Sequence, residues 1–209
     1  MTVIQVALDF DNARDALRVA KRVKRYVEIF EAGTPLLKAE GEKTIIPKLK
    51  KIAFGKKIFA DLKTMDTGSF ETEGAMKLGA YYSSVLGVAS NETIKSAINS
   101  SKKGEVVVDL IQCKNIARRV KELKLLGAKN FEVHTAIDDQ LKGKNPLVEL
   151  KEISRIKEIN VWVAGGISMK NIDKVMKYNP KVVVVGGAIT KAKNPENAAK
   201  EIYRAIYSK

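Results

Sequence analysis

Short β-branched runs alternate with longer segments whose apolar residues recur every three or four positions, and this alternation along the whole chain limits the folds open to it. The strand-like runs are Ile4–Phe10, Ile29–Ala32, Ile58–Leu62, Tyr81–Leu86, Glu105–Ile111, Phe131–Thr135, Val161–Ala164 and Val182–Val185. Helical patterns follow them at Asn12–Arg25, Leu36–Phe54, Phe70–Leu78, Glu92–Ser100, Asn115–Leu126, Pro146–Ile156, Met169–Tyr178 and Pro195–Tyr207. A parallel crossover needs a helix and is right-handed, so strand-then-helix units repeated in this way predict an α/β protein of the (β/α)₈ TIM barrel type. An open doubly wound sheet is the other arrangement such a pattern allows. With 209 residues the chain is short for the barrel, so tight loops and a single domain over 1–209 are expected. Val182-Val183-Val184-Val185 is apolar at every position, as a strand covered on both faces requires. Asn194-Pro195-Glu196 reads as a helix start, and Gly79 and Gly127 as helix ends.

Composition narrows the class. No apolar run is long enough to span a membrane, and Met1-Thr2-Val3-Ile4-Gln5 lacks the layout of a signal peptide, so a cytoplasmic protein is expected. One cysteine, Cys113, excludes an internal disulfide, and one histidine, His134, excludes every His-pair metal motif. Any metal must be held largely by carboxylates. The net charge of +14 suits nucleic acid, an anionic surface or anionic small substrates. The basic residues are spread over nearly every helical segment, however. Their densest group, Lys48, Lys50, Lys51, Lys56 and Lys57, has only Phe54 as an aromatic neighbour. A solvated basic surface is the expectation, with no nucleic-acid role. A nucleic-acid-binding module is the competing reading, and it predicts retention on DNA with a steep salt dependence.

A barrel of this kind builds its active site at the C-terminal ends of its strands. Asp9, Glu31, Asp61, Lys63, Asp109 and His134 stand there, with Gly165-Gly166 and Gly186-Gly187 ending the last two strands. Asp61 and Lys63 are two apart, so the pleat predicts both side chains on the inner face, with Asp66 one turn later. Glu31 and Asp61 on adjacent strands offer the hard oxygens that suit Mg²⁺. Pairing with Lys38 or Lys63 would be their structural role. The glycine pairs leave backbone N–H groups free to converge on a phosphate, or simply make two tight turns. His134 suits proton transfer near neutral pH, and Cys113 reads as a bystander thiol. These residues point to a Mg²⁺-dependent enzyme acting on a small sugar phosphate, with an enediolate stabilised by metal and lysine while histidine moves a proton.

Asp61-x-Lys63-x-x-Asp66, with Asp9 and Glu31 upstream and the glycine pairs downstream, resembles the orotidine 5′-monophosphate decarboxylase superfamily. The strings Glu31-Ala32-Gly33-Thr34-Pro35-Leu36, Phe59-Ala60-Asp61-Leu62-Lys63-Thr64-Met65-Asp66, Val107-Val108-Asp109-Leu110-Ile111 and Val163-Ala164-Gly165-Gly166 are similar to the 3-hexulose-6-phosphate synthases within it. The resemblance implies an aldolase-type lyase: a reversible, Mg²⁺-dependent condensation of formaldehyde with D-ribulose 5-phosphate to D-arabino-hex-3-ulose 6-phosphate. It implies Glu31 and Asp61 as metal ligands and Lys63 as a positive charge beside the enediolate. Asp9 and Asp66 would hold Lys63 and substrate hydroxyls, and Asp109 and His134 would move protons at C1. It further implies a homodimer whose sites lie at the interface, with the Asp66 equivalent supplied by the neighbouring subunit. The 3-keto-L-gulonate 6-phosphate decarboxylases are the nearest alternative. They tend to carry Glu, Arg and Thr where this chain has Asp109, Ile137 and Ala164. Orotidine decarboxylase itself carries a phosphate-clamping Arg near strand eight, where this chain has Gly187-Ala188.

Overall fold

The computed structural model describes residues 1–207. Its strands are β1 (Val3–Leu8), β2 (Ile29–Ala32), β3 (Lys57–Thr64), β4 (Tyr82–Leu86), β5 (Glu105–Asp109), β6 (Asn130–His134), β7 (Asn160–Ala164) and β8 (Val182–Val185). Every neighbouring pair is parallel, and β8 pairs back onto β1 with Val182 opposite Val3, which closes a (β/α)₈ barrel. The helices are α1 (Ala13–Val23), α2 (Thr34–Glu40), α3 (Glu42–Ala53), α4 (Gly68–Leu78), α5 (Asn91–Ser100), α6 (Ile116–Leu125), α7 (Ile137–Gln140), α8 (Leu147–Ile153), α9 (Ile172–Met176), α10 (Gly187–Thr190) and α11 (Pro195–Tyr207). No helix among the described residues is long and apolar enough to cross a membrane.

Pleating sends alternate residues to opposite faces and so divides the core in two. Val6, Phe30, Ile58, Val108, Phe131 and Val163 face outward and pack with Val19, Leu49, Leu123 and Ile202 of the helices. Ala7, Ile29, Phe59, Tyr82, Val107 and Trp162 fill the interior. All four residues of β8 are buried: Val182 and Val184 within the barrel, Val183 and Val185 beneath the helices. Burying each such side chain contributes roughly 1.5–3 kcal/mol, which accounts for the unbroken valine run.

Three helical stretches differ from the pattern, and of Met169–Tyr178 only α9 is helical. Leu36–Phe54 is broken at Gly41, whose φ of 75° is unfavourable for other residues and whose N–H closes α2 on the Leu37 carbonyl. The stretch starting at Pro146 forms only α8, and the one-turn α7 stands before it on the rim of the barrel. The other signals hold. Asn194 Oδ1 accepts from the Asn197 N–H at 3.3 Å at the start of α11, and Gly79 caps α4.

Candidate active site

A cleft of about 670 Å³ opens at the C-terminal ends of the strands, a size suited to a small ligand. Asp9, Glu31, Asp61, Lys63, Glu132 and His134 line it, together with Gly165, Gly166, Gly186 and Gly187. Lys38 and Ile137 stand at its edge.

Lys63 organises the centre. Its Nζ lies 3.0 and 3.1 Å from the two carboxylate oxygens of Asp61 and 2.7 Å from Asp109 Oδ2. It arrives there differently from the pleat prediction. The β3–β4 register slips between Ala60 and Thr64, Lys63 takes φ 47°, and its N–H donates to Ser84 Oγ at 2.8 Å. A bulge, not simple alternation, aims the ammonium inward. Asp61 Oδ1 also accepts from Ser84 Oγ, and Oδ2 from Thr34 Oγ1, each at 2.8 Å. Asp109 lies beneath, fully buried, and its Oδ2 is 3.0 Å from His134 Nδ1. With Nδ1–H donated to that carboxylate, Nε2 is left as the proton-accepting nitrogen. Burial raises the Asp109 carboxyl, but His134 and Lys63 outweigh it and hold Asp109 well below the usual range. Burial likewise lowers Lys63, and Asp61, Asp109 and Glu132 outweigh it, so the ammonium is held well above its ordinary value.

The rest of the mouth has an excess of negative charge. Glu31 and Glu132 are buried, and burial followed by neighbouring carboxylates pushes both well above the ordinary value. The Glu31 neighbours are Asp61 and Asp9, and those of Glu132 include Asp109 and Glu31. Asp9 is one residue past β1 and open to the cleft on one side. Its carboxyl is raised by partial desolvation and by Asp61, against the charges of Lys63, His134 and Lys191. Gly33 permits this approach, because a Cβ there would stand 2.1 Å from Asp9 Oδ1.

Asp9, Glu31, Asp61, Lys63, Asp109 and His134 therefore converge, and the glycine pairs complete the ring between His134 and Asp9. Asp66 does not join them within one chain. It is exposed, its Oδ1 accepts from the neighbouring Thr67 N–H at 2.7 Å, and it does not line the cleft. The bulge at Lys63 carries the chain outward before Asp66 is reached. Glu132, Ser84, Thr34 and Gln5 were not anticipated. Glu132 was legible, since Phe131-Glu132-Val133-His134 places it two residues from His134 on the same face. Gln5 donates to Glu31 Oε2 at 2.5 Å, while its own Oε1 is buried without a partner among the described residues.

This donor set fits a hard cation. Asp109, Glu132 and His134 offer ligand atoms within 4.8 Å of one another, but the Lys63 ammonium already lies against Asp109. On the other side Glu31 Oε1 accepts no hydrogen bond among the described residues, and the Glu31, Asp61 and Asp9 charges repel one another. Carboxylate oxygens are what Mg²⁺ takes, with Lys63 sharing the charge of Asp61.

Residues 2–202 match the Orotidine 5′-phosphate decarboxylase / HUMPS family. The chain is 39% identical to a 3-hexulose-6-phosphate synthase of Staphylococcus aureus (strain bovine RF122 / ET3-1), over 99% of each. Among solved structures it is similar to a 3-hexulose-6-phosphate synthase from Salmonella typhimurium, with a TM-score of 0.95, 35% identity and 99% of each chain covered. It is also similar to a 3-keto-L-gulonate-6-phosphate decarboxylase from Vibrio cholerae, with a TM-score of 0.85, 26% identity and 99% of each chain covered. In sequence over its whole length, and in the closed barrel that carries these acids, the chain belongs to the Orotidine 5′-phosphate decarboxylase / HUMPS family.

Proposed function

We propose that the chain is an aldolase-type lyase that reversibly condenses formaldehyde with D-ribulose 5-phosphate to give D-arabino-hex-3-ulose 6-phosphate. The observation that carries this reading is the Lys63 ammonium locked between Asp61 and Asp109, with His134 bonded to the same Asp109 oxygen. A cation and a base are thereby fixed side by side in the cleft floor.

His134 takes a proton from C1 of the ketose, and the charge that develops on the adjacent oxygens forms an enediolate beside Lys63. C1 then attacks the carbon of formaldehyde, and the new hydroxyl takes the proton from His134. Asp109 is a positioning residue: it fixes the histidine tautomer and holds Lys63 without reaching the cleft. Glu31 and Asp61 would hold Mg²⁺, with Asp9 beside them; when bound, the ion supplies Lewis-acid stabilisation of that charge. The backbone of Gly165, Gly166, Gly186 and Gly187 receives the phosphate. Ile137, which is 63% exposed at the cleft edge, favours this reaction over the gulonate decarboxylase. An apolar side chain there provides no group to orient a proton donor toward a decarboxylation intermediate.

A homodimer completes the site. Asp66 points away from its own cleft, and Met65, Phe70 and Val88 are exposed on the segments after β3 and β4, as a self-contact would require. In this reading Asp66 enters the partner's cleft. Mixing Asp61→Asn with Asp66→Ala subunits then restores activity that neither has alone.

The test is formaldehyde consumption with D-ribulose 5-phosphate, with Mg²⁺ and with EDTA, alongside CO₂ release from 3-keto-L-gulonate 6-phosphate. Consumption only with Mg²⁺ is expected. Release of CO₂ with formaldehyde untouched would move the chain to the decarboxylase reading.

A further inference from the structure

A phosphate monoester carries about 1.5–2 negative charges at neutral pH, and a corner built only of glycine backbone brings no full positive charge to meet it. The surroundings make this worse. Asp9 Oδ2 lies 3.7 Å from the point where a Cβ on Gly186 would stand, so an anion seated there also faces a carboxylate. A cation is required on the glycine side of the cleft, because the charge of Lys63 is already used by Asp61 and Asp109.

Lys191 meets the requirement. It ends the single turn of α10, its N–H donating to the Gly187 carbonyl at 3.0 Å. Helical side chains lean toward the N-terminus of their helix, onto the residue four positions back. The Lys191 stem does so here, with Cδ 3.6 Å and Cε 3.9 Å from the point where a Cβ on Gly187 would stand. Lys191 makes no ion pair within 4.0 Å among the described residues, yet its charge acts on Asp9 across the corner. The Lys191 side chain is exposed and runs beside Gly187, which itself lines the cleft, and no protein anion within 4.0 Å holds it among the described residues.

We propose that Lys191 is the cation of the phosphate corner, reaching back over Gly187 to pair with the phosphate ester of the substrate. The assignment rests on the proposed sugar-phosphate reading for its ligand, and on the geometry for its residue.

Calorimetric titration of the Mg²⁺-loaded protein with inorganic phosphate tests it directly, using Lys191→Gln, Lys191→Arg and, as a charge control two residues away, Lys193→Gln. A charge-assisted hydrogen bond of ordinary strength predicts that Lys191→Gln weakens phosphate binding about tenfold, with Lys191→Arg restoring most of it and Lys193→Gln staying within about twofold. In turnover, KM for D-ribulose 5-phosphate rises about tenfold while kcat changes by less than about twofold, because the phosphate takes no part in bond making. Equal effects of Lys191→Gln and Lys193→Gln, or no rescue by arginine, overturn the assignment. So does a wild-type protein that binds no phosphate, whatever it does with formaldehyde. If phosphate binding splits as expected while formaldehyde is not consumed, Lys191 stands and the synthase reading falls.

Discussion

The barrel interior is polar at both ends, and the two ends differ in charge balance. At the floor, the first residues of five successive strands, Lys57, Tyr82, Glu105, Asn130 and Asn160, form a linked set. Lys57 donates to Tyr82 Oη at 3.0 Å and lies 3.8 Å from the Tyr81 ring centroid. Glu105 accepts from Tyr81 at 3.2 Å and from Asn130 at 2.8 Å, and Asn160 donates to Asn130 at 2.9 Å. One cation, one anion and the amides between them leave little unpaired. Burial and Glu105 push Tyr82 up to about 12, so it stays a neutral hydroxyl. At the mouth, Asp9, Glu31, Asp61, Asp109 and Glu132 crowd around Lys63. A balanced network strengthens the fold, whereas an unbalanced one weakens it and creates affinity for a cation.

The mouth gives the largest expected effect. Asp61→Asn removes a charge from both the metal side and the Lys63 cage while keeping an acceptor for Ser84. Activity should fall about 10³-fold, the order seen when a preorganised electrostatic partner is lost. Circular dichroism should show the barrel intact. Activity within tenfold of wild type would mean that the acids at the mouth are structural, like those at the floor.

Glu31→Gln separates the two costs. A carboxyl raised in the folded state binds its proton better there than in the unfolded chain. Its contribution to stability is therefore present in acid and lost as pH rises from about 4.3 toward the raised value. Glu31 and Glu132 behave this way; Asp109, held low, contributes above the unfolded value and loses that as pH falls. Without Mg²⁺ at pH 8, Glu31→Gln should raise Tm by about 3 °C, roughly 1 kcal/mol for a chain of this size. The gain should shrink at pH 5, and activity should fall about 10²-fold. Mg²⁺ should raise the wild-type Tm and leave the variant unmoved. A variant less stable than wild type at pH 8 contradicts the charge imbalance.

The floor should respond in the opposite sense. Asn130 is buried and bridges Glu105, the Val106 carbonyl and Asn160. Asn130→Ala strands those partners at a cost of about 2 kcal/mol, lowering Tm by roughly 5 °C. Here kcat should stay within about twofold, since no reacting group is touched. A large fall in kcat with Tm unchanged would show that the two ends are coupled.

Much of this was legible in the sequence because strand alternation is geometric. Val182–Val185 announced a strand covered on both faces, and the polar residues at the strand ends marked the mouth. Glu132 obeyed the same rule. Lys63 reached its place by a positive φ that no spacing announces, and Asp66 was carried outward by that same bulge. The depth of Asp109 depends on what lies above it, and the reach of Lys191 depends on α10 being a single turn; both are set by tertiary structure.

Gly33 offers the finest test of the comparison, because it separates backbone conformation from the site it serves. Its φ of −64° and ψ of 155° are open to any residue, so alanine brings no backbone strain. What alanine brings is a methyl group 2.1 Å from Asp9 Oδ1 and 3.2 Å from the Leu8 carbonyl. The carboxylate must swing away from the cleft, and the Asp61 and Glu31 charges lose a neighbour that repels them. Gly33→Ala should therefore keep its Tm within about 2 °C, under about 1 kcal/mol, while activity falls about tenfold as Asp9 leaves its position. Thermal melts beside steady-state rates give both numbers. If Tm falls and activity holds, Gly33 serves packing as the floor residues do, and Asp9 has no part in the chemistry.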